Sequence, residues 1–135
     1  MFVQQLVKDL KLSDHVHFLG QQDYIEHLLS CADLLLLPTE QESFGLVALE
    51  AHASSVPVVG SATGGLPEVV EDGETGFLLP VGEVAQMAEK SLLILSDPHL
   101  NARFRKQARE RAVSCFEKEL VLPQYEQLYE EVLQS

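Results

Sequence analysis

The sequence predicts an α/β fold in which about four parallel strands form a sheet flanked by helices. Short apolar segments alternate along the chain with longer segments whose apolar residues recur at helical spacing. Residues 34–37 are apolar throughout, which is typical of a strand covered on both faces. Because strand–helix–strand units connect parallel strands by right-handed crossovers, this alternation favours a parallel sheet.

The first half of the chain contains two predicted strands and three predicted helices. Residues 2–10 and 23–32 carry apolar residues at helical spacing, and each precedes a short apolar segment. The first of these segments, residues 16–19, is a predicted strand that ends at Gly20, and residues 34–37 form the second. A third helix is predicted from Gly45 to about Ser54, with Leu46, Leu49 and Ala53 at helical spacing.

The second half continues the same alternation. Strands are predicted at residues 57–59 and 77–79, separated by a loop at Thr63-Gly64-Gly65 and a turn at residues 72–76. Helices are predicted at residues 67–71 and 84–95, from Pro98 to about Cys115, and at residues 122–133. A proline stands in the first turn of three of these helices, where its missing N–H leaves no hydrogen bond unmade.

Composition indicates one globular domain that is strongly acidic. The chain has 135 residues, 46% of them hydrophobic, and a net charge of −12, which disfavours binding to nucleic acid or to anionic membranes. Its longest apolar run is too short to span a bilayer. Cys31 and Cys115 lack metal-ligand spacing and are interpreted as reduced core thiols of a cytoplasmic protein.

The segment Glu42-Ser-Phe-Gly-Leu-Val-Ala-Leu-Glu50 places two carboxylates around a glycine at a helix start. Glycine lets a ligand approach the backbone, and the free N–H groups of a helix amino end attract phosphate. The helix rise separates Glu42 from Glu50 by about 12 Å, so that the pair can accept hydrogen bonds from two parts of one extended ligand. This pattern indicates a sugar-nucleotide site. The alternative is an acidic residue that favours the helix dipole and a solvated glutamate on the outer helix face.

Positive charge is absent from the middle of the chain. No Lys or Arg occurs between Leu12 and Glu89, so helix-terminal N–H groups alone would compensate a diphosphate poorly. Either the ligand is not a diphosphate or its counter-charges come from elsewhere. The arginines of residues 103–111 lie among acidic residues and are interpreted as a solvated helix face.

Four segments occur in a specific order: Glu42 to Glu50 as above, Pro57-Val-Val59, Gly64-Gly-Leu-Pro-Glu68 and Gly73-x-x-Gly76-Phe77. With these segments the chain resembles the family-4 retaining glycosyltransferases of GT-B fold. Two further segments, Phe18-Leu-Gly-Gln-Gln-Asp23 and the ending from Gln124 to Leu133, are similar to the N-acetyl-α-D-glucosaminyl L-malate synthases of bacillithiol biosynthesis. This resemblance implies UDP-N-acetylglucosamine as donor and L-malate as acceptor.

The resemblance also implies a role for each site residue. Glu42 would contact hydroxyls of the donor sugar and is the candidate catalytic residue, while Glu50 would bind the ribose hydroxyls. The backbone around Ser43, Phe44, Gly45, Leu46 and Val47 would cradle the diphosphate. The turn at Gly20 and Gln21 would hold the uracil ring. The reaction implied retains the anomeric configuration, needs no metal or other cofactor, and uses the leaving diphosphate to help deprotonate the acceptor.

Two positions depart from the resemblance. Relatives commonly read Glu-Ala-Met-Ala-x-Gly-x-Pro after the second carboxylate, where this chain has His52 and Ser55. The glycine that Ser55 replaces would end the helix in a left-handed conformation, so that the serine costs some stability. His52 is interpreted as a helix-face residue and not as a ligand of the site.

The resemblance further implies that residues 1–135 form a single, partial C-terminal nucleotide-sugar-binding domain, inactive alone and lacking the N-terminal acceptor domain. In the doubly wound strand order 3-2-1-4-5-6, residues 16–19 would be the third strand and residues 34–37 the fourth. An incomplete Rossmann-like sheet would leave a gap between them, pair them directly, or be closed by a second chain in a homodimer or strand-swapped dimer. The alternative function is a non-catalytic, self-associating α/β binding module.

Overall fold

The computed structural model describes residues 2–40, 45–116 and 132–133. Within these residues the helices and strands follow the predicted alternation from residue 25 onward. The helices are α1 (Phe2–Asp9), α2 (Ile25–Leu29), α3 (Leu46–Ala53), α4 (Leu66–Val69), α5 (Val84–Ser96) and α6 (Pro98–Phe116). The strands are β1 (Leu35–Leu37), β2 (Val58–Ser61) and β3 (Gly76–Leu79). Most of the helix predicted over residues 122–133 lies outside the described residues.

The three strands form one parallel sheet in the order β1-β2-β3. Leu36 pairs with Val59, and Val59 pairs with Phe77, so the central strand β2 is hydrogen-bonded on both sides. The predicted α/β class with a parallel sheet flanked by helices is thus confirmed. Since the strands are parallel, their carboxyl ends meet at one edge, where ligands of open α/β sheets bind.

The predicted strand at residues 16–19 is wrong. In the described part of the chain these residues form no strand, and Phe18 and Leu19 are exposed. A strand is stable only when a neighbour satisfies its backbone hydrogen bonds, and nothing in the described sheet pairs with the outer edge of β1. The apolar spacing of residues 16–19 is a local pattern, and it does not show whether a neighbouring strand is there to pair with them. Direct pairing of these residues with β1 is also wrong.

A hydrophobic core lies on each face of the sheet. On one face, α2, α3 and α4 cover Val58 and surround it with Leu29, Ala48, Ala51, Leu66 and Val69. On the other face, Val59 and Leu79 pack with Met87, Ile94 and Phe104 of α5 and α6. Cys31 is exposed, so the expectation of a core thiol is wrong at that position; the side chain of Cys115 lies outside the described part.

Helix α6 joins the two layers through three arginines that donate to backbone carbonyls. Arg105 Nη1 donates to Ala32 O at 3.0 Å, just beyond α2, and Arg109 Nη1 donates to Ala53 O at 2.7 Å, at the end of α3. Arg111 Nε donates to Val69 O at 2.8 Å, at the end of α4. We call these three residues the arginine caps. A cation at a helix carboxyl end offsets the negative end of the helix dipole. The interpretation as a solvated face is therefore wrong for Arg105 and Arg111, which are partly buried, while Arg109 is exposed.

Helix α1 contributes no side chain to either core. Its apolar residues Phe2, Val3 and Leu6 are exposed, as is Leu10 just after it. Among the described helices, none combines the length and apolar character that crossing a membrane requires.

Candidate functional site

The amino end of α3 lies at the carboxyl edge of the sheet, with Gly45 buried and the Leu46 side chain exposed. Gly45 precedes the helix in a left-handed conformation, with φ +82°, and Leu46 is 61% exposed. The first turn of an α-helix leaves backbone N–H groups without intrahelical acceptors, and such groups bind anions. This helix end includes the predicted residues Leu46 and Val47, and their contact with a diphosphate stays a prediction.

Only glycine fits at position 45. A Cβ atom there would stand 3.1 Å from Cδ1 of Leu66, and the positive φ strains any L side chain. Leu66 begins α4 and directly follows the Gly64-Gly65 loop. The structure thus brings Gly45, which follows β1, close to the residue that follows the Gly64-Gly65 loop after β2.

Glu50 lies one turn further along α3, on its exposed face. Its carboxylate forms no hydrogen bond or ion pair with any described residue, and it is free to accept hydrogen bonds from a ligand. Glu42, Ser43 and Phe44 lie outside the described residues. Their predicted contacts with the sugar and diphosphate therefore stay predictions.

At the predicted turn, Gly20 has the left-handed backbone that a turn favours. Gly20 has φ +67°, with open space where a side chain would begin, and both it and Gln21 are exposed. Gln22 Nε2 donates to Leu19 O at 2.6 Å and closes the turn. Contact of Gly20 and Gln21 with a base stays a prediction.

Two hydroxyls near the carboxyl ends of β1 and β2 were not singled out in the sequence. Within the part that the structure describes, Thr39 Oγ1 and Ser61 Oγ are buried and have no hydrogen-bond partner. An unpaired buried hydroxyl costs about 1–3 kcal/mol. Both are thus available to a polar group that enters at this edge of the sheet.

A buried polar pair behind the site was also missed. His52 is fully buried on the inner face of α3, its Nδ1 lies 3.1 Å from Val56 O, and its Nε2 lies 3.0 Å from Thr75 Oγ1. Burial lowers the pKa of His52 from 6.5 to about 4; the Val56 carbonyl opposes this shift and the charge of Arg111 adds to it. The available signal was the helical spacing of His52 from Ala48, which places both on one face.

Candidate metal ligands do not converge here. No group of three or more His, Cys, Asp or Glu residues in residues 2–40, 45–116 and 132–133 could hold a metal ion. The cations nearest to α3 in the described structure are Arg109 and Arg111, and both donate to backbone carbonyls.

Comparison with protein families and curated proteins identifies relatives along most of the chain. Residues 2–111 match the family described as glycosyl transferases group 1. The chain is 44% identical over 133 residues to N-acetyl-alpha-D-glucosaminyl L-malate synthase of Bacillus anthracis. The matched region covers 98% of this chain and 35% of that protein. It is 38% identical over 117 residues to D-inositol 3-phosphate glycosyltransferase of Streptomyces avermitilis, covering 84% of this chain and 25% of that protein.

Solved structures share the fold. Sucrose-phosphate synthase of Thermosynechococcus elongatus superposes with a TM-score of 0.90 at 37% identity, over 98% of this chain and 34% of that one. The Anabaena protein HepE, solved in complex with UDP and in another structure with UDP-glucose, superposes with a TM-score of 0.86 at 30% identity, over 99% of this chain and 36% of its own. The chain thus spans about a third of the length of these relatives.

Proposed function

Because this chain belongs to the glycosyl transferases group 1 family, we propose that it forms the nucleotide-sugar-binding part of a retaining glycosyltransferase. The proposed donor is UDP-N-acetylglucosamine and the proposed acceptor is L-malate, in bacillithiol biosynthesis in the cytoplasm. The similarity to the N-acetyl-alpha-D-glucosaminyl L-malate synthase of Bacillus anthracis along nearly the whole chain supports this choice of substrates. The complexes of HepE with UDP and UDP-glucose support a uridine diphosphate sugar.

One observation carries the proposal. The amino end of α3 begins after Gly45 at the carboxyl edge of the sheet and is followed by the exposed, unengaged carboxylate of Glu50, which supports a backbone site for phosphate beside an acceptor for hydroxyl groups. In this proposal the backbone of residues 43–47 binds the diphosphate, Glu50 binds the ribose, and Glu42 contacts the sugar as the candidate catalytic residue. Gly20 and Gln21 hold the uracil. No metal or other cofactor is proposed.

The proposal also accounts for the charge pattern. Residues 13–88 contain no Lys or Arg, and the arginine caps are engaged with backbone carbonyls. A bound diphosphate needs cations to offset its charge as it leaves. We assign those cations, and the binding of the acceptor, to regions of a full-length enzyme that this chain does not match. The chain alone is then expected to bind UDP weakly and to transfer no sugar.

Calorimetric titration of a full-length enzyme containing this chain with UDP and UDP-N-acetylglucosamine tests the assignment. Replacing Glu50 with Ala should weaken UDP binding about tenfold to a hundredfold, because a carboxylate that accepts hydrogen bonds from ribose is lost. Glu89→Ala, at an exposed position of α5, is the matched control and should bind as the unmodified enzyme does. Normal UDP affinity in Glu50→Ala would refute the ribose role, and absence of UDP binding by the unmodified enzyme would refute the donor class.

The second candidate function is a non-catalytic module that associates with itself. It is favoured by the outer edge of β1, which pairs with no strand of the described structure, and by Leu36, which is 48% exposed there. Unpaired strand edges template association with further strands. Nucleotide titration separates the two candidates, since the module requires no affinity for UDP.

A further inference from the structure

We propose that His52 and Thr75 form a positioning pair that holds α3, and with it the donor-binding residues, in place only while the imidazole is neutral. The part that concerns the donor rests on the proposed function. The part that concerns α3 rests on the hydrogen bonds of the pair alone. His52 touches no ligand in this proposal and acts through the helix that carries Glu50.

The hydrogen bonds form one continuous chain between three parts of the fold. The Glu71 N–H donates to Thr75 Oγ1 at 2.9 Å, Thr75 Oγ1 lies 3.0 Å from His52 Nε2, and His52 Nδ1 lies 3.1 Å from Val56 O. The chain connects the turn before β3, the last turn of α3, and the entry to β2. His52 and Thr75 are both buried, so solvent does not replace these bonds.

The partners determine the tautomer. A backbone carbonyl only accepts hydrogen bonds, so the bond to Val56 O requires the proton on Nδ1. In a neutral ring Nε2 then accepts, and the Thr75 hydroxyl must donate to it. Thr75 Oγ1 keeps lone pairs to accept from the Glu71 N–H, so every partner in the chain is satisfied.

Protonation breaks this arrangement. An imidazolium donates from both nitrogens, so Thr75 Oγ1 would use its two lone pairs to accept from Nε2 and from the Glu71 N–H, and the Thr75 O–H would lose the acceptor that the neutral ring provides. The buried positive charge would also lose solvation. Thr75 lines an open cavity of about 260 Å³ between the turn and α6, but the residue itself is only 1% exposed.

The surrounding charged groups do not stabilise a protonated His52. Arg111 and Arg109 approach from α6, and Glu71 and Glu74 belong to the turn. The Glu71 carboxylate pairs with Arg111 at 3.3 Å and Glu74 accepts from Gln107, so neither forms a bond to the imidazole. Glu50, on the same helix, faces solvent.

The sign of the pH dependence follows from the lowered pKa of about 4 in the folded state against 6.5 when the ring is released. Well above pH 6.5 the ring is neutral in both states, so the titration of His52 does not make the stability of α3 depend on pH. Between pH 6.5 and about 4 the opened state binds a proton that the closed state excludes, so stability falls as pH falls. The opening constant of α3 should rise about tenfold by pH 5.5 and about eightyfold by pH 4.5.

Amide hydrogen exchange of the 135-residue chain, measured by NMR from about pH 7.5 to about pH 4.5, tests this directly. After correction for intrinsic exchange rates, the opening constants of the α3 amides should rise as pH falls, while those of the α5 amides should change much less. The imidazole resonances of His52 should report the Nδ1–H tautomer at neutral pH and a pKa below 5. Parallel loss of protection in α3 and α5, or titration of His52 near 6.5, would overturn the proposal.

Variants separate positioning from simple packing. His52→Met fills a similar volume without an ionisable group, and its α3 opening should lose the dependence on pH between 6.5 and 4.5. Thr75→Val removes the hydroxyl at nearly constant shape and should raise α3 opening at neutral pH, whereas Thr75→Ser should restore protection. His99→Gln, at an exposed histidine of α6, should keep the pH profile of the unmodified chain. Equal protection of α3 in Thr75→Val and Thr75→Ser would contradict the hydrogen-bond chain.

A second experiment, with UDP, distinguishes failure of the proposed function from failure of the proposed positioning pair. As pH falls, the UDP affinity of the full-length enzyme should decrease more steeply than that of its His52→Met variant. The nucleotide phosphate, whose pKa is about 6, titrates equally in both measurements, so the comparison cancels its contribution. Identical pH profiles of the two enzymes would contradict the coupling of the pair to the donor. If neither enzyme binds UDP at any pH, the proposed function fails, and the exchange measurements still decide whether the pair holds α3.

Discussion

At the residue scale, Ser55 shows how one position can depart from the resemblance and still form the expected structure. Ser55 has φ +62°, Val56 N–H donates to Ala51 O at 2.8 Å, and Ser55 N–H donates to His52 O at 3.0 Å. These two bonds define a Schellman motif, which normally places glycine at the left-handed position. The sequence prediction that a left-handed residue ends α3 is confirmed.

Replacing Ser55 with Gly should therefore stabilise the chain by about 0.5 to 1 kcal/mol, since relief of left-handed strain exceeds the added entropy of the unfolded glycine. Urea denaturation at neutral pH measures the change. Ser54→Gly is the matched control, because Ser54 has φ −93° and gains nothing from glycine. Equal effects of the two substitutions would show that strain at position 55 is not what glycine relieves.

His52 and Thr75 mark what residue-level reasoning cannot find. The two residues are 23 positions apart and meet only because α3 packs against the turn before β3. Helical spacing could place His52 on the face of Ala48, but it could not name the partner that satisfies a buried imidazole. By contrast, Gly45 was predictable, because a glycine between a strand and a helix signals a special backbone conformation by itself.

At the element scale, the helices and strands from residue 25 onward were predictable because their signals are local. Apolar spacing predicted a helix at residues 84–95 and the structure has Val84–Ser96; Asp97 and Pro98 marked the start of α6. The prediction of a strand at residues 16–19 was wrong because the stability of a strand depends on a neighbour that is distant in the sequence. The arginine caps escaped notice because each joins α6 to a carbonyl far away in the sequence.

We expect Arg111 to stabilise the fold through its cap on α4. Arg111→Met should lower the free energy of unfolding by about 1 to 3 kcal/mol, because the carbonyls of Val69 and Glu68 lose a charged donor. Lys106→Met is the control: the ammonium group of Lys106 is exposed and, among the residues that the structure describes, pairs only with Glu110 at 4.0 Å. The change should therefore stay within about 0.5 kcal/mol. A loss in Arg111→Met no larger than in the control would show that the cap adds nothing.

At the scale of the whole molecule, the sheet has one edge that the described structure leaves open. The incomplete sheet was predicted from the resemblance, and the outer edge of β1 is indeed unpaired within the described residues. How this edge is completed was not predictable, since the apolar pattern of residues 34–37 shows only that both faces of the strand prefer to be covered.

We predict that the 135-residue chain self-associates through this edge. Light scattering should give a mass above the 15.0 kDa of one chain and rising with concentration. Leu36→Lys should shift the chain toward a monomer, because a lysine on an edge strand opposes pairing. Leu92→Lys, at an exposed position of α5, should leave the association unchanged. A monodisperse monomer at every concentration would contradict the prediction.

The arginine caps have a consequence for how this sequence can vary. Ala32, Ala53 and Val69 are recognised through their carbonyl oxygens, and those oxygens are the same for every amino acid. Mutations at the three recognised positions therefore leave the contacts intact, whereas mutations of the arginines remove them. Selection that preserves these three contacts should act on three codons of α6, whereas Val69 is constrained by its place in the core and not by the contact.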